Sequence, residues 1–447
     1  MLNFRRFSPT KLVLHLTGYS AFALLAASCS TPKAPTYPAP QPMPTQPPVV
    51  IVPKPPVVVV QPRPTPVPTP PPAPMTPRYG SFSEWKISFA QRASQQGYNR
   101  QDIERLLARA DYNEQAITLD RSQAEFVKMP WEYVDSALSS GRVSAGRSNY
   151  ANQQSLLSRI ENQYGVPASI VTAIWGMESS YGKGTGNSSL PSSLATLAYD
   201  GRRKAFAEEQ LLAMLQLVQR GDVDWSQLKG SWAGGMGHTQ FIPQTWLVEG
   251  VDGDGDGHKN PWNMADALSS TASYLSRSGW QRGVDAVYEV RLPAGFDYRN
   301  LGSKKSLGEW QALGVQFMGY PSNRSAQAEL WLPAGKEGPA LLITNNFNVI
   351  KVYNNSSNYA LAVSLLAKAI IGQPTLQQDW PRYEQPLANY QVRQLQERLT
   401  AQGFDTQGTD GIAGNNTRMA FARWQASRGQ IPDGFISQRS AAPLIGF

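Results

Sequence analysis

The sequence predicts a mainly α-helical protein with a large helical body, a small all-α unit at its C-terminal end and a Pro-rich segment before both. Apolar residues recur at helical spacing from about residue 79 to residue 372. A second helical pattern follows a Pro-containing stretch at 373–386. Residues 31–77 are rich in proline and show no helical period, which predicts a disordered, polyproline-like linker.

The first residues have the pattern of a signal peptide. Arg5, Arg6 and Lys11 precede an apolar run over 12–27 that is short for a membrane-spanning helix. The chain's one cysteine, Cys29, ends a Leu-Ala-Ala-Ser-Cys segment that resembles a lipobox, and Ser30 follows it. We therefore predict a lipoprotein signal peptide at 1–28, lipidation of Cys29, an outer-membrane anchor facing the periplasm and a tether over 29–78. Cleavage nearby without lipidation is the alternative.

The charge balance indicates the class of partner. The net charge of +8 and pI of about 9.4 suit an extended anionic partner such as cell wall, a membrane surface or nucleic acid. Export argues against nucleic acid, and no pattern identifies a protein partner.

We assign 79–375 to the helical body and 386–447 to the C-terminal unit. Short β-like runs over Val287–Leu292 and Ala340–Ile343 are minor. The helical patterns in the body run over Asp102–Ala110, Ser155–Tyr164, Pro167–Tyr181, Lys204–Arg220, Ala265–Ser276 and Tyr359–Ile371.

Glu178 is the most informative single residue. It lies in Trp-Gly-Met-Glu-Ser-Ser-Tyr-Gly at 175–182, far in sequence from other acidic residues. Helical spacing would place Ile174, Trp175 and Tyr181 on its face, and such an apolar setting should raise the pKa of the carboxyl and suit it to general-acid chemistry. The alternative is a glutamate at a helix end that is exposed or paired with a distant arginine.

Two further segments have compositions that suit ligand binding. Residues 231–241, Ser-Trp-Ala-Gly-Gly-Met-Gly-His-Thr-Gln-Phe, place glycines beside polar side chains, which lets a chain approach a ligand closely. This segment could also be a tight structural loop. Residues 353–359, Tyr-Asn-Asn-Ser-Ser-Asn-Tyr, offer aromatic hydroxyls and amides of the kind that sugars favour.

An acidic loop begins like a calcium-binding EF-hand. Its sequence, Asp-Gly-Asp-Gly-Asp-Gly-His at 252–258, alternates oxygen ligands and has Gly257 at the sharp turn. Position twelve is Asn263 instead of glutamate, which breaks the standard pattern. A solvated acidic turn is the alternative.

The C-terminal unit resembles a peptidoglycan-binding domain from about Tyr390 to Leu444. The resemblance rests on Leu395-Gln396, Asp410-Gly411-Ile412, Gly414, Thr417 and Trp424-Gln425. A small helical domain that docks onto another protein is the alternative.

From about residue 82 to residue 372 the chain resembles the lytic transglycosylases of the membrane-bound B type. The glutamate, Gly-rich, Asp-rich and Tyr-Asn segments occur in that family's order. The resemblance implies a lysozyme-like α+β catalytic domain, peptidoglycan glycan strands as substrate and Glu178 as the sole catalytic carboxylate. It also implies that the substrate-binding residues are Ser231, Gln240, Tyr353, Asn354 and Tyr359, with the less distinctive Tyr133 and Tyr274.

The same resemblance extends the acidic loop to Asp266 and implies a structural Ca²⁺ or Na⁺ with no cofactor for catalysis. The implied ligands are Asp252, Asp254, Asp256, the backbone carbonyl of His258, and Asp266.

The family's reaction explains why one carboxylate suffices. Glu178 would first protonate the glycosidic oxygen and then deprotonate the C6 hydroxyl of the same muramic acid, which closes a 1,6-anhydro ring. Ordinary glycosidases use a second carboxylate. Hydrolytic muramidase action and non-catalytic murein binding are the alternatives.

Two other classes of cell-wall enzyme are disfavoured. Zinc chemistry has little support, since His238 and His258 lack HExxH spacing. The SxxK match at 83–86 lacks the partner motifs of penicillin-binding proteins.

Overall fold

The structure, a computed structural model, describes residues 80–121, 128–319 and 321–446. The predicted signal peptide, Cys29 and the Pro-rich tether lie outside these residues. Within the described ranges the chain is mostly helical, as predicted, and none of the helices there has the length and apolar character needed to cross a membrane.

The helices and strands are numbered in chain order. The helices are α1 (Phe82–Gln95), α2 (Arg100–Leu107), α3 (Glu114–Arg121), α4 (Pro130–Ala137), α5 (Ser140–Asn152), α6 (Gln154–Tyr164), α7 (Ala168–Ser179), α8 (Leu190–Asp200), α9 (Lys204–Gln219), α10 (Pro243–Glu249), α11 (Met264–Arg277), α12 (Leu307–Ala312), α13 (Asn345–Tyr353), α14 (Ser357–Ile370), α15 (Asn389–Ala401), α16 (Asn415–Ser427) and α17 (Gln438–Ile445). The strands are β1 (Ser188–Ser189), β2 (Lys229–Gly230), β3 (Val287–Arg291), β4 (Lys304–Ser306), β5 (Gln316–Phe317), β6 (Gln327–Trp331) and β7 (Ala340–Thr344).

Two hydrophobic clusters form the helical body. The first centres on α7 and α14, which are buried along almost their whole lengths. The second joins α1, α8 and α9 and includes the fully buried Trp85. Tyr353 packs against both clusters, so the C-terminal end of α13 lies where they meet.

A five-stranded antiparallel sheet of order β4-β6-β7-β3-β5 extends the body. In its centre Val287 pairs with Ile343 and Val290 with Ala340. The carboxylate of Glu289 on β3 accepts hydrogen bonds from the backbone N–H groups of Gln377 and Gln378, at 2.8–3.0 Å. This buried side chain therefore anchors the connector that leads to the C-terminal unit.

The predicted helical patterns correspond to α2, α6, α7, α9, α11 and α14, and the two β-like runs correspond to β3 and β7. Strands β1, β2, β4, β5 and β6 were not predicted. The first four are only two or three residues long, and β6 alternates the buried Ala328 and Leu330 with less buried neighbours over just five residues. Such short segments are stabilised by pairing across the sheet, which a local pattern does not reveal.

The C-terminal unit repeats one hydrogen-bonded element. In the first half, Gln396 on α15 donates from Nε2 to Asp410 Oδ1 (2.8 Å) and accepts at Oε1 from Gly411 N (2.9 Å). The Ile412 N–H also donates to Asp410 Oδ1 (2.9 Å).

The second half has the same three bonds. Gln425 on α16 donates to Asp433 Oδ1 (2.9 Å) and accepts from Gly434 N (2.8 Å), and Phe435 N donates to Asp433 Oδ1 (3.0 Å). The Asp410-Gly411 and Asp433-Gly434 turns therefore belong to a structural duplication, to which α17 is added.

The second copy is docked on the body. Phe435 is buried in a cluster with Met129, Trp131 and Ala334, against which Trp380 packs. Asp433 Oδ2 also accepts a hydrogen bond from Lys336 N at 3.3 Å. These contacts connect the C-terminal unit to the helical body.

Replacing Phe435 with alanine should destabilise this docking by about 3 kcal/mol, because a buried ring is lost. We expect the C-terminal unit to unfold before the body, which calorimetry would record as a new low-temperature transition. Tyr390→Ala, a change at a side chain that is 70% exposed, is the matched control and should leave the profile unchanged. A single unshifted transition in Phe435→Ala would contradict this role.

Candidate active site

Glu178 lies in the last turn of α7. The helix begins after Pro167, and the carboxylate of Glu161 accepts a hydrogen bond from the Ala168 N–H (3.0 Å), which satisfies a free donor of the first turn. All residues from Ala168 to Gly176 are buried, whereas Glu178 is partly exposed. The apolar helix thus presents one carboxylate at the edge of the core.

The helix ends earlier than predicted. It terminates at Ser179, and Ser180 and Tyr181 both have left-handed backbone conformations, with φ of 50° and 62°. Tyr181 therefore does not share the helical face of Glu178, and that prediction was wrong. Its ring turns back into the core, edge-on to Trp175 with 5.7 Å between ring centroids.

Tyr359 holds the carboxylate of Glu178. Its hydroxyl donates to Glu178 Oε1 at 2.6 Å from the first turn of α14, whose N-cap is Ser356. Burial, followed by the charge of Glu178, raises the pKa of Tyr359 well above its ordinary value, so the hydroxyl remains a donor at neutral pH. The structure thus brings together two residues separated by 181 positions.

The Gly-rich segment folds into a tight loop. The Gly235 N–H donates to Ser231 Oγ (2.8 Å), and Ser231 N donates to Gly235 O (2.9 Å). A Cβ atom at Gly235 would lie 2.7 Å from Gln240 Oε1 and 2.9 Å from Ser231 Oγ, so any side chain there would displace these two groups. Gln240, with φ of 55°, donates from Nε2 to Thr185 O (3.0 Å) and Gly237 O (2.8 Å).

Tyr353 joins this loop to the helical core. Its hydroxyl donates to Thr239 O (2.8 Å) and lies 3.2 Å from Thr271 Oγ1. Its ring packs edge-on against Phe241 and lies 6.1 Å from the ring of Tyr274. Burial and the charge of Glu178 raise the pKa of Tyr353 well above its ordinary value.

The remaining predicted binding residues border the same region. Asn354 directly follows α13 and is partly buried, and its carbonyl accepts from Ser356 N at 2.6 Å. Tyr133 on α4 acts on Tyr359 electrostatically and contributes to the raised pKa of that phenol. The structure therefore places Tyr133 near Tyr359, and Asn354 in the short connection between α13 and α14. Their roles in binding stay a prediction.

Ser179 and His238 were not predicted as site residues. Ser179 Oγ donates to His238 O (2.5 Å) and accepts from Gly182 N (2.9 Å), which ties the end of α7 to the Gly-rich loop. Trp175 Nε1 donates to His238 Nδ1 at 3.1 Å. Both residues lie inside the recognised motifs, but nothing in the sequence showed that the two motifs bond to each other.

The acidic loop gathers three of its predicted metal ligands. Carboxylate oxygens of Asp252, Asp254 and Asp266 lie within 4.8 Å of one another. Asp266 is fully buried and accepts from Gly253 N and Asn260 N, both at 2.8 Å.

The other two predicted ligands have different surroundings. Asp256 is exposed, lies outside that group and accepts from His258 N (2.8 Å). The side chain of His258 is exposed as well.

Acid should weaken the junction around His238. Burial lowers the pKa of His238, and its Nδ1 accepts the Trp175 hydrogen bond only when it is unprotonated. Because the pKa of His238 is lower in the folded protein than in the unfolded chain, the unfolded chain binds more protons than the folded protein below about pH 6.5. The free energy of unfolding therefore decreases as the pH falls through that range. In His238→Gln the melting temperature should fall less between pH 7 and pH 5 than in wild type.

His258→Gln removes an exposed imidazole and is the control, for which we expect the wild-type pH dependence. Equal pH dependence of all three proteins would rule out the titration of His238 as the cause.

The chain matches known proteins over both parts. Residues 81–368 match the model of the transglycosylase SLT domain, and residues 389–439 match that of the putative peptidoglycan binding domain. The membrane-bound lytic murein transglycosylase B of Escherichia coli K12 is 30% identical over 289 residues, which cover 61% of this chain and 79% of the relative.

Solved structures are similar as well. SltB3 from Pseudomonas aeruginosa, crystallised with NAG-NAM-pentapeptide, is 45% identical with a TM-score of 0.78, over 82% of this chain and 100% of that chain. Escherichia coli Slt35, crystallised with calcium, is 29% identical with a TM-score of 0.55, over 64% of this chain and 92% of that chain. These matches confirm the predicted resemblance, and the chain belongs to the transglycosylase SLT-domain family, with a peptidoglycan-binding domain at its C-terminal end.

Proposed function

We propose that this protein is a lytic transglycosylase that cleaves the β-1,4 bond between N-acetylmuramic acid and N-acetylglucosamine without water. The observation that supports it most is the setting of Glu178, one carboxylate held by a tyrosine hydroxyl at the edge of an apolar core. The segments 175–182, 231–241 and 353–359, which form this site, contain no second Asp or Glu. An ordinary glycosidase would need one.

The reaction uses Glu178 twice. Its protonated carboxyl donates a proton to the glycosidic oxygen as the bond to C1 breaks, and the N-acetylglucosamine leaves as an alcohol. The resulting carboxylate then takes the proton of the C6 hydroxyl on the same muramic acid, whose oxygen bonds to C1. The acid is regenerated and a 1,6-anhydro ring is formed. Because the attacking hydroxyl already belongs to the reacting sugar, the entropic cost of recruiting a nucleophile is reduced.

Tyr359 acts as a positioning residue in this scheme. Its hydrogen bond fixes Oε1 of Glu178, so that the carboxyl keeps one orientation through both proton transfers. The raised pKa keeps the phenol protonated, so it does not add a second negative charge next to the carboxylate.

The Gly-rich loop and the Tyr-Asn segment supply the sugar-binding surface. Ser231 and Gln240 both bond within the loop, so they also set the shape of the surface that faces the glycan. The Asn354 side chain makes no hydrogen bond to a described residue and has both amide groups available for a sugar. We infer that Tyr133, near Tyr359, and Tyr274, whose ring lies 6.1 Å from that of Tyr353, add aromatic surface to the same region.

The protein acts on peptidoglycan in the periplasm, and we propose that a lipid on Cys29 anchors it to the outer membrane. The basic net charge and the C-terminal domain both suit retention on an anionic wall. A Pro-rich tether would let the enzyme reach glycan strands away from its anchor.

We also propose a structural Ca²⁺ site in the acidic loop. Three carboxylates converge there, and the buried Asp266 makes hydrogen bonds only to backbone N–H groups among the described residues, with no cation paired to it. Hard oxygen ligands of this kind suit Ca²⁺ or, more weakly, Na⁺. The bound ion would neutralise the cluster and fix the loop that precedes α11. Escherichia coli Slt35 was crystallised with calcium.

Glu178→Gln should lower the rate on purified murein by about 10³-fold, the order expected when a general acid is removed. Mass spectrometry of the wild-type products should show 1,6-anhydro ends. Glu209→Gln, at an exposed glutamate on α9, is the control and should retain activity. Reducing ends from the wild type would indicate a hydrolytic muramidase, and an absence of fragments would indicate a binding protein.

Ca²⁺ should raise the melting temperature of the wild type by several degrees, since a ligand at a hundred times its Kd adds about 2.7 kcal/mol. Asp254→Ala should lose most of this shift. Asp379→Ala, at an exposed aspartate outside the loop, should keep it. An equal Ca²⁺ response in Asp254→Ala would exclude the loop as the binding site.

A further inference from the structure

The two copies of the duplicated element in the C-terminal domain have different surroundings. The second copy is covered by the catalytic body through Phe435 and Asp433. In the first copy, Ile412, the counterpart of Phe435, is 39% exposed. The second copy therefore packs against the body, and the first copy exposes the corresponding surface to solvent.

The exposed copy borders a narrow groove with a volume of about 70 Å³. Leu387, Val392 and Ile436 from the C-terminal domain form its apolar side, and Met129 of the body lies opposite. Ile412, Arg418 and the exposed Lys128 of the body also line it. The groove thus combines an apolar surface with two cationic side chains, of which Arg418 is the more buried.

Arg418 has no acidic partner among the residues that the structure describes. Its Nε donates to Ala413 O at 3.2 Å, and it forms no ion pair with any residue in the described part of the chain. The guanidinium is partly buried, and desolvation lowers its pKa. A partly desolvated cation without a counter-charge is costly unless a ligand supplies one.

A second guanidinium stands next to the same turn. A Cβ atom at Gly411 would lie 2.9 Å from Arg393 Nε, so the absence of a side chain there lets Arg393 lie against the turn. Arg393 likewise forms no ion pair within the described ranges. The nearby Asp410 carboxylate bonds inward, to Gln396 Nε2 and Ile412 N.

The arginine beside the docked copy behaves differently. Arg439 pairs with Glu384 (2.6 Å) and Glu337 (3.0 Å), so its charge is used within the protein. Arg439 therefore has its counter-charges within the protein, whereas Arg418 and Arg393 beside the open copy form no ion pair with a described residue.

We propose that this groove binds the carboxylate end of a peptidoglycan stem peptide, with Arg418 as the main anion ligand and the apolar floor receiving the small side chain of the terminal residue. This inference rests on the proposed function, since it names the ligand of the wall-binding domain. A guanidinium matches a carboxylate in a two-point hydrogen-bonded arrangement. An uncharged sugar would leave Arg418 without a counter-charge, and the groove is narrow for a disaccharide.

The test measures binding to the full chain by isothermal titration calorimetry. The probe is N,N′-diacetyl-lysyl-D-alanyl-D-alanine, which ends in a free carboxylate beside a methyl group. Its C-terminal amide removes the charge and keeps the shape, and chitotetraose represents the glycan alone. We expect the acid to bind and the amide and chitotetraose to bind at least ten-fold more weakly, because the charge-assisted bonds are absent.

Two variants examine the groove independently. Arg418→Met should weaken binding of the acid ten-fold or more. Ile412→Asp changes an exposed side chain, so the fold should be unaffected, and its added negative charge should repel the carboxylate to a similar degree. Arg428→Met, at an exposed arginine on the same domain, is the matched control and should bind normally. Thermal melting of each variant would establish that it is folded.

Three results would overturn the proposal: no binding of the acid by wild type, equal binding of the acid and the amide, or normal binding by folded Arg418→Met and Ile412→Asp. The proposed function would fail separately, through an absence of 1,6-anhydro ends from wild-type protein on murein. A wild type that forms these ends while the groove variants bind the peptide normally would leave the enzyme assignment intact and remove only this site.

Discussion

The structure of the active site depends on the hydrogen bond between Ser179 and His238. It joins the end of the helix that presents Glu178 to the Gly-rich loop at 231–241. The Trp175–His238 bond repeats this connection one turn earlier on α7. Because Ser180 and Tyr181 hold strained left-handed conformations just beyond this point, the junction keeps the helix end fixed where a free chain would relax.

The electrostatics of the site follow from the same packing. The buried Tyr359 and the partly buried Tyr353 both act on one carboxylate, and Tyr359 bonds to it directly. Each phenol contributes a dipole without contributing a charge. The site can therefore stabilise either state of Glu178 through oriented hydrogen bonds, with no second ionised side chain.

Much of this could be predicted from the sequence because the information was local. The period of apolar residues located α7, α9 and α14, and the isolation of Glu178 in an apolar segment identified the candidate acid. Helical spacing placed Tyr181 on the wrong face because it was extended past Ser179. The backbone there leaves the right-handed helix and adopts left-handed conformations at Ser180 and Tyr181. The hydrogen bonds of His238 and the pairing of the short strands join residues that are far apart in the chain. Local sequence patterns carry no information about such contacts.

The duplicated Gln–Asp–Gly element has a consequence for how such enzymes diversify. Each copy closes its own set of hydrogen bonds, around Gln396 in one case and Gln425 in the other. The residue after each Asp-Gly turn contributes only its backbone N–H to these bonds, so its side chain takes no part in them. Substitutions at Ile412 and at Phe435 can thus accumulate along separate evolutionary routes, so one half of the domain can specialise for ligands while the other preserves the architecture of the enzyme.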